Sequence, residues 1–182
     1  MRHEWYRQKG NFVRGAAEGF GTCLWPSGWV YEGEWSKDLR HGKGTCRQNS
    51  GNDGEVYRGE WKNDMWHGHG ELRFEGGDKY TGDFFEDHRH GHGVYVFTDG
   101  SRYEGSFCKD LRSGRGEIVY HDGSRYVGDW KNNWRDGKGK QYDTDGSVFE
   151  GTFRADERCD GFVKLPDGFM RPVKNGRVKG GS

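Results

Sequence analysis

Residues 80–102 read YTGDFFEDHRHGHGVYVFTDGSR, and the alternation within them decides the fold. Tyr80, Gly82 and Phe84 fall on every second position, as do Gly91, Gly93, Tyr95 and Phe97. Period two is the spacing of a strand and cannot build one face of a helix. Two such runs joined by a short polar stretch predict a β-hairpin. The Asp99-Gly100 pair that follows tolerates the positive φ of a tight reversal into the next hairpin.

The same pattern recurs along the chain. YEGEW (31–35), YRGEW (57–61), YTGDF (80–84), YEGSF (103–107), YVGDW (126–130) and FEGTF (149–153) begin 26, 23, 23, 23 and 23 residues apart. The unit is therefore 23 residues, with a three-residue insertion near residues 50–54. The first five are followed by Gly42/Gly44, Gly68/Gly70, Gly91/Gly93, Gly114/Gly116 and Gly137/Gly139. Gly10, Phe12, Gly19 and Gly21 mark a worn first copy from about residue 8, and in the copy from Phe149 the glycine falls one place late. A short fixed period predicts an all-β, elongated single-sheet meander of stacked β-hairpins, with about seven repeats and about fourteen strands. The array is expected over residues 1–160, with residues 161–182 forming a degenerate C-terminal cap and basic tail.

Composition agrees. With 33 glycines and 3 prolines in 182 residues, neither a collagen nor a proline-rich linker is indicated. Hydrophobic residues make up only 30%, yet 8 Trp, 9 Tyr and 11 Phe at zero net charge offer more buriable surface than a disordered chain carries. No run approaches the roughly 20 apolar residues of a spanning helix, and the first ten residues contain no apolar leader. Cys23, Cys46, Cys108 and Cys159 lie far apart without CxxC spacing. A cytoplasmic protein with reduced thiols, no structural metal and no cofactor is expected.

The Tyr-Glu-Gly-Glu-Trp, His-Gly-x-Gly and Asp-Gly elements resemble the MORN (membrane occupation and recognition nexus) repeat family over residues 8–168. The pattern departs at the first copy, at the insertion before Tyr57 and after Phe153. The resemblance implies a non-enzymatic interaction scaffold whose partner is a cytoskeletal, motor or ciliary protein. It also implies a possible homodimer through terminal repeats and, as the alternative function, peripheral binding to phosphoinositide membranes.

Placing Trp35 opposite Gly42 sets Gly33 opposite Gly44 and Glu34 opposite Lys43, so that each glycine becomes a flat site for a ring. The pairs Glu34/Lys43, Glu60/His69, Asp83/His92 and Asp129/Lys138 are then expected on the reverse face, each contributing about 0.2–1 kcal/mol, with Ser106/Arg115 as the exception. The ring face carries Tyr31, Trp35, Tyr57, Trp61, Tyr80, Phe84, Tyr103, Phe107, Tyr126 and Trp130, each worth about 1.5–3 kcal/mol when buried. No helix is available to roof it. These ten are expected to line a trough for a partner helix or peptide, with Tyr31, Trp61, Tyr80, Tyr103 and Tyr126 keeping some exposure.

Arg40, Trp66, Arg89, Arg112 and Arg135 occupy one position in successive copies. The four arginines suggest an edge for phosphates or acidic partners, although Asp38, Asp64, Asp87 and Asp110 two places earlier favour local neutralisation. Residues 1–15 carry +3 and residues 161–182 carry +4, leaving −7 on residues 16–160. An acidic array is not drawn to an anionic leaflet, which ranks phosphoinositide binding below protein binding. His90 and His92 share a face and could chelate a metal, but Glu60 and Asp83 are the expected partners of His69 and His92, so a modest pH response is expected and no metal site. The Gly-x-Gly pairs lack the third glycine of a dinucleotide site, and neither a P-loop nor Gly-x-Ser-x-Gly is present. Aromatics interleave with Glu and Asp, which argues against nucleic acid. Residues 172–178 read as a last hairpin with an Asn-Gly turn, a cap or a pairing edge for a second copy, and Gly180-Gly181-Ser182 as a flexible tail.

Overall fold

The computed structural model describes residues 7–48 and 54–178. Apart from Gly54, the insertion read near residues 50–54 lies outside the described residues, as does the tail Gly180-Gly181-Ser182. Two compact units divide the chain, Met1–Gly91 and His92–Ser182. The first holds β1 (Arg7–Val13), β2 (Ala16–Leu24), β3 (Trp29–Ser36), β4 (Leu39–Gln48), β5 (Val56–Lys62), β6 (Met65–Arg73) and β7 (Lys79–Phe85). The unit boundary falls within β8 (His88–Val96). The second holds β9 (Arg102–Cys108), β10 (Leu111–Val119), β11 (Arg125–Lys131), β12 (Trp134–Tyr142), β13 (Val148–Arg154), β14 (Glu157–Lys164), β15 (Met170–Lys174) and β16 (Arg177–Val178). Their order in the single open antiparallel sheet is the order of the sequence. Among the described residues sixteen strands replace the expected fourteen because the Asn175-Gly176 hairpin, β15 and β16, pairs onto the seven copies that supply β1 to β14. The expected 160/161 boundary falls inside β14. Among the described residues no helix is long and apolar enough to cross a membrane.

Two kinds of turn alternate. The Asp-Gly joins are three-residue loops: Phe97 accepts from Gly100 and donates to Ser101, with Gly100 at φ 89° and the Asp99 carboxylate accepting the Ser101 N–H at 2.8 Å. The tight two-residue reversals lie inside the hairpins, where both residues take positive φ, as at Lys37 (53°) and Asp38 (66°) or Asn132 (51°) and Asn133 (71°). That left-handed pair matches strand twist. The turn Asp or Asn is held by the preceding copy: its side-chain oxygen accepts the backbone N–H of Ala17, Arg40, Trp66, Arg112 or Arg135 at 2.7–2.9 Å.

The glycine pairing Gly33↔Gly44 is as expected, but the register then breaks. A bulge at Gly42, φ 57°, puts Glu34 opposite His41 and Trp35 opposite Arg40. The expected Glu34/Lys43, Glu60/His69 and Asp129/Lys138 pairs are therefore corrected. Straight register belongs to the join between copies, where Lys43 faces Glu60, His69 faces Asp83 and Arg115 faces Asp129. Within its own hairpin the acidic residue lies over the bulge glycine and accepts the freed N–H: Glu34 from Lys43 at 2.9 Å, Asp129 from Lys138 at 2.8 Å. The carbonyl freed on the other strand is taken by tyrosine, with Tyr31 Oη donating to Glu34 O at 2.8 Å and Tyr57, Tyr80, Tyr103 and Tyr126 repeating the bond at 2.8–3.0 Å.

The tyrosine ring covers the glycine pair. An added Cβ on Gly44 would meet Tyr31 ring carbons at 2.5 Å. Neighbouring rings meet edge to face, Tyr31–Trp35 at 5.0 Å, Tyr31–Trp61 at 5.3 Å and Tyr57–Phe84 at 5.1 Å, a geometry worth about 0.5–1.5 kcal/mol per pair beyond burial.

We expect Gly44→Ala to cost about 1–3 kcal/mol through a Cβ with no space to occupy. Tyr31→Phe should cost about 1–3 kcal/mol by leaving the Glu34 carbonyl unpaired. Urea unfolding midpoints check both, and a wild-type midpoint for either variant contradicts the stacking described.

Candidate functional site

Within each unit the expected trough residues line up on one sheet face, Tyr31, Trp35, Tyr57, Trp61, Tyr80 and Phe84 in the first and Tyr103, Phe107, Tyr126 and Trp130 in the second, but they do not form its surface. Tyr31, Tyr80, Tyr103 and Tyr126 are 0% exposed, and Trp61 is 3%. Residual exposure at these positions is thus corrected: glycine lies beneath each tyrosine ring, other aromatic rings stand against its sides and a cation covers it. Burial pushes Tyr126 up to about 12 and raises Tyr31, Tyr57 and Tyr103 further. Trp35, Trp61 and Trp130 donate their indole N–H to Gly21, Gly44 and Gly116 carbonyls of the preceding copy at 3.2 Å.

The arginines supply that cover. Arg40 lies over Trp61 at 4.2 Å, Arg112 over Trp130 at 4.4 Å and Arg135 over Phe153 at 5.2 Å, while Arg89 lies 5.6 Å from the Phe74 ring. Each interaction of this kind is worth about 0.5–2 kcal/mol. Arg40 Nε also reaches Asp64 at 3.0 Å, and Arg135 Nε reaches Asp156 at 3.1 Å. Arg112 bonds to the Asn133 carbonyl at 2.9 Å, and burial lowers its affinity for its proton. Arg40, Arg112 and Arg135 are thus engaged in holding copies together. The neutralising carboxylate comes from the next copy's turn, not from Asp38-type residues in the same one.

The period breaks twice at this position. Ala17 stands there in the first copy and Trp66 in the third strand pair, where Trp66 stacks on Tyr57 at 4.7 Å and 13°. Beside these breaks, within Met1–Gly91, opens a cleft of about 410 Å³ lined by Trp25, Ser27, Trp29, Trp35, Asp38, Arg40, Cys46, Glu55, Trp61, Asp64, Trp66 and Asp87. Trp25, Trp29 and Trp66 are half-buried. Burial and the neighbouring Glu75 hold the Glu55 carboxyl above the usual carboxylate range. Trp25, Trp29 and Glu55 fall outside the repeating motif and were not among the expected site residues. A legible signal was the Trp-x-x-x-Trp pair spanning the first join.

The reverse face carries ion pairs, among them His69–Asp83 at 3.2 Å and Arg115–Asp129 at 3.1 Å. His67 and His90 rings lie 5.1 and 6.0 Å from Phe85. Among the described residues no His, Cys, Asp and Glu group is arranged to hold a metal. All four cysteines are free, and burial raises Cys23 to about 11.

Tandem hairpins in one open sheet, with a ring-on-glycine core, define a β-repeat protein. The MORN repeat model matches residues 9–30, 31–53, 57–79, 80–102, 103–125 and 126–148, and the chain belongs to the MORN repeat family. Six matched copies stand against the expected seven or so. No curated protein sequence matches the chain. The TCP domain of SAS-4 (dCPAP) from Drosophila melanogaster, solved with a proline-rich motif of Ana2 (dSTIL), is similar at a TM-score of 0.54 and 15% identity, covering 93% of this chain and 89% of that one. The TCP10 domain of Danio rerio CPAP, solved with a STIL peptide, reaches a TM-score of 0.34 at 18% identity over 97% of this chain and 99% of that one. The Drosophila likeness is one of fold, and the zebrafish score is too low to establish even that.

Because its raised affinity for a proton belongs to the folded state, Glu55 weakens folding above the carboxylate range and relaxes as pH falls through it. Glu55→Gln should therefore unfold at a higher temperature than wild type at pH 7, with the gap closing towards about pH 4. Thermal melts at both pH values test this, and an unchanged gap contradicts it.

Proposed function

We propose that this chain is a non-enzymatic scaffold that holds a peptide segment of a protein partner in the tryptophan cleft of Met1–Gly91, in a cytoskeletal, centriolar or ciliary setting. The observation that carries the reading is the cleft itself. Its volume lies within the range of ligand pockets, and its indole walls with a few polar groups are the composition that recognition surfaces favour. The expected trough thereby contracts to Trp35 and Trp61 among its ten residues, joined by Trp25, Trp29 and Trp66. A domain of like fold has been solved holding a proline-rich motif, which supports a peptide as the kind of occupant. Proline and indole stack well, and an extended segment is already low in conformational entropy.

The phosphoinositide alternative loses support, because Arg40, Arg112 and Arg135 are engaged with Asp64, Asn133 and Asp156. A second reading, association of two chains through the terminal hairpin, is favoured by the exposed Phe162, Phe169, Met170 and Val178, and it treats residues 161–178 as an incomplete cap.

The experiment is photo-crosslinking from position 29 in cytoplasmic extract, followed by synthesis of the crosslinked segment. That segment should bind wild type and lose affinity by about tenfold or more on Trp29→Ala with Trp66→Ala. Trp134→Ala, at an exposed site in the other unit, should leave it unchanged. Equal binding by wild type and the double variant, both still folded by circular dichroism, rejects the cleft.

A further inference from the structure

Four of the carboxylates on this chain line one cleft, and the repeat's own chemistry shows what two of them lack. In the regular copy, a turn carboxylate does two jobs. Asp64 Oδ1 accepts the backbone N–H of Arg40 at 2.8 Å and also pairs with that residue's guanidinium at 3.0 Å. Asp156 does the same for Arg135, at 2.7 and 3.1 Å. Asp38 and Asp87 keep the first job and have lost the second. Asp38 Oδ1 accepts Ala17 N–H at 2.7 Å, and Asp87 Oδ1 accepts Trp66 N–H at 2.7 Å, but alanine and tryptophan bring no charge. Among the described residues no cation pairs with Asp38, Asp87 or Glu55. All three line the cleft, together with the Trp25, Trp29 and Trp66 indoles. The internal cation of the cleft, Arg40, is already committed to Asp64 and to the Trp61 face at 4.2 Å.

Resting on the peptide-binding reading above, we infer that the segment held in this cleft presents an arginine, whose guanidinium supplies the charge that the Arg-to-Trp break at position 66 takes away. There it pairs with Asp87 and lies against the cleft indoles as Arg40 and Arg112 lie against Trp61 and Trp130. Arginine fits better than lysine because its planar group stacks on an indole while its edge still donates to a carboxylate. Glu55 and Asp38 add the negative field that draws a cation to the site, so binding weakens as salt rises.

The test compares two short peptides, acetyl-Gly-Pro-Arg-Pro-Gly-amide and the same peptide with citrulline, a neutral isostere of arginine. Their binding to the full chain is followed through the indole N–H resonances of Trp25, Trp29 and Trp66. The arginine peptide should bind about tenfold more tightly than its citrulline counterpart. Asp87→Asn should erase that preference without harming the fold, since Asn133 already serves the same backbone bond to Arg112 at 2.9 Å. Trp66→Arg restores the regular repeat and should abolish binding of the arginine peptide. Equal indole shifts with both peptides would overturn the cation while leaving the cleft as a peptide site. So would undiminished arginine-peptide binding by the Trp66→Arg variant. Indoles unmoved by either peptide at millimolar concentration also overturn the arginine inference, and the crosslinking experiment then decides separately whether the cleft binds a partner at all.

Discussion

A tyrosine ring laid flat on a pair of facing glycines is the contact on which this sheet depends. Gly33 and Gly44 have no side chains to hold the Tyr31 ring away from the backbone, so the ring comes down into contact with both strands. Glycine weakens a strand on its own. Here its bareness admits a large apolar group, and the same ring carries a hydroxyl that reaches the Glu34 carbonyl exposed by the bulge. Burial, close packing and satisfaction of a broken ladder are met by one side chain. The copy from Phe149 keeps the ring on its glycine but lacks the hydroxyl. There the Thr152 side chain bonds across to the backbone of Asp160, at 3.2 Å in each direction.

The hairpins, their period and the facing glycines were legible in the residues because alternation and a 23-residue repeat are properties of the chain itself. The bulge was not. A slip of two residues, passing over Gly42 and Lys43, leaves the alternation of Gly42 and Gly44 intact in the sequence while changing which acidic residue meets which base. Glu34 consequently serves the Lys43 backbone rather than its ammonium, and the ion pairs move to the joins between copies. The Asp-Gly reversals were legible, Gly100 standing at φ 89°, whereas the left-handed pairs Lys37-Asp38 and Lys109-Asp110 inside the hairpins carry no such signal; sheet twist holds them there and, for Asp38, its bond to Ala17.

The candidate site was half legible. Period analysis located Trp35 and Trp61 and gave the position shared by Arg40 and Trp66. It could not tell an exposed ring from one roofed by a guanidinium, because roofing depends on how far each side chain leans across to its neighbour. Several of the residues that line the cleft stand outside the pattern or interrupt it, Trp25, Trp29, Glu55 and Trp66. In a repeat protein the regular positions secure the scaffold, and a departure from period is where a distinct surface can arise.

The links between copies run in both directions along the chain. Arg40 and its backbone N–H rely on the turn that follows, at Asp64, just as Arg135 relies on Asp156. Stripping copies from the C-terminal end leaves a guanidinium and an amide without acceptors, and stripping from the N-terminal end leaves the buried Trp61 indole without the Gly44 carbonyl and without the Arg40 cation over its face. Fraying from either end thus leaves a buried donor unpaired. During synthesis each newly made copy waits for the one behind it to complete its bonds.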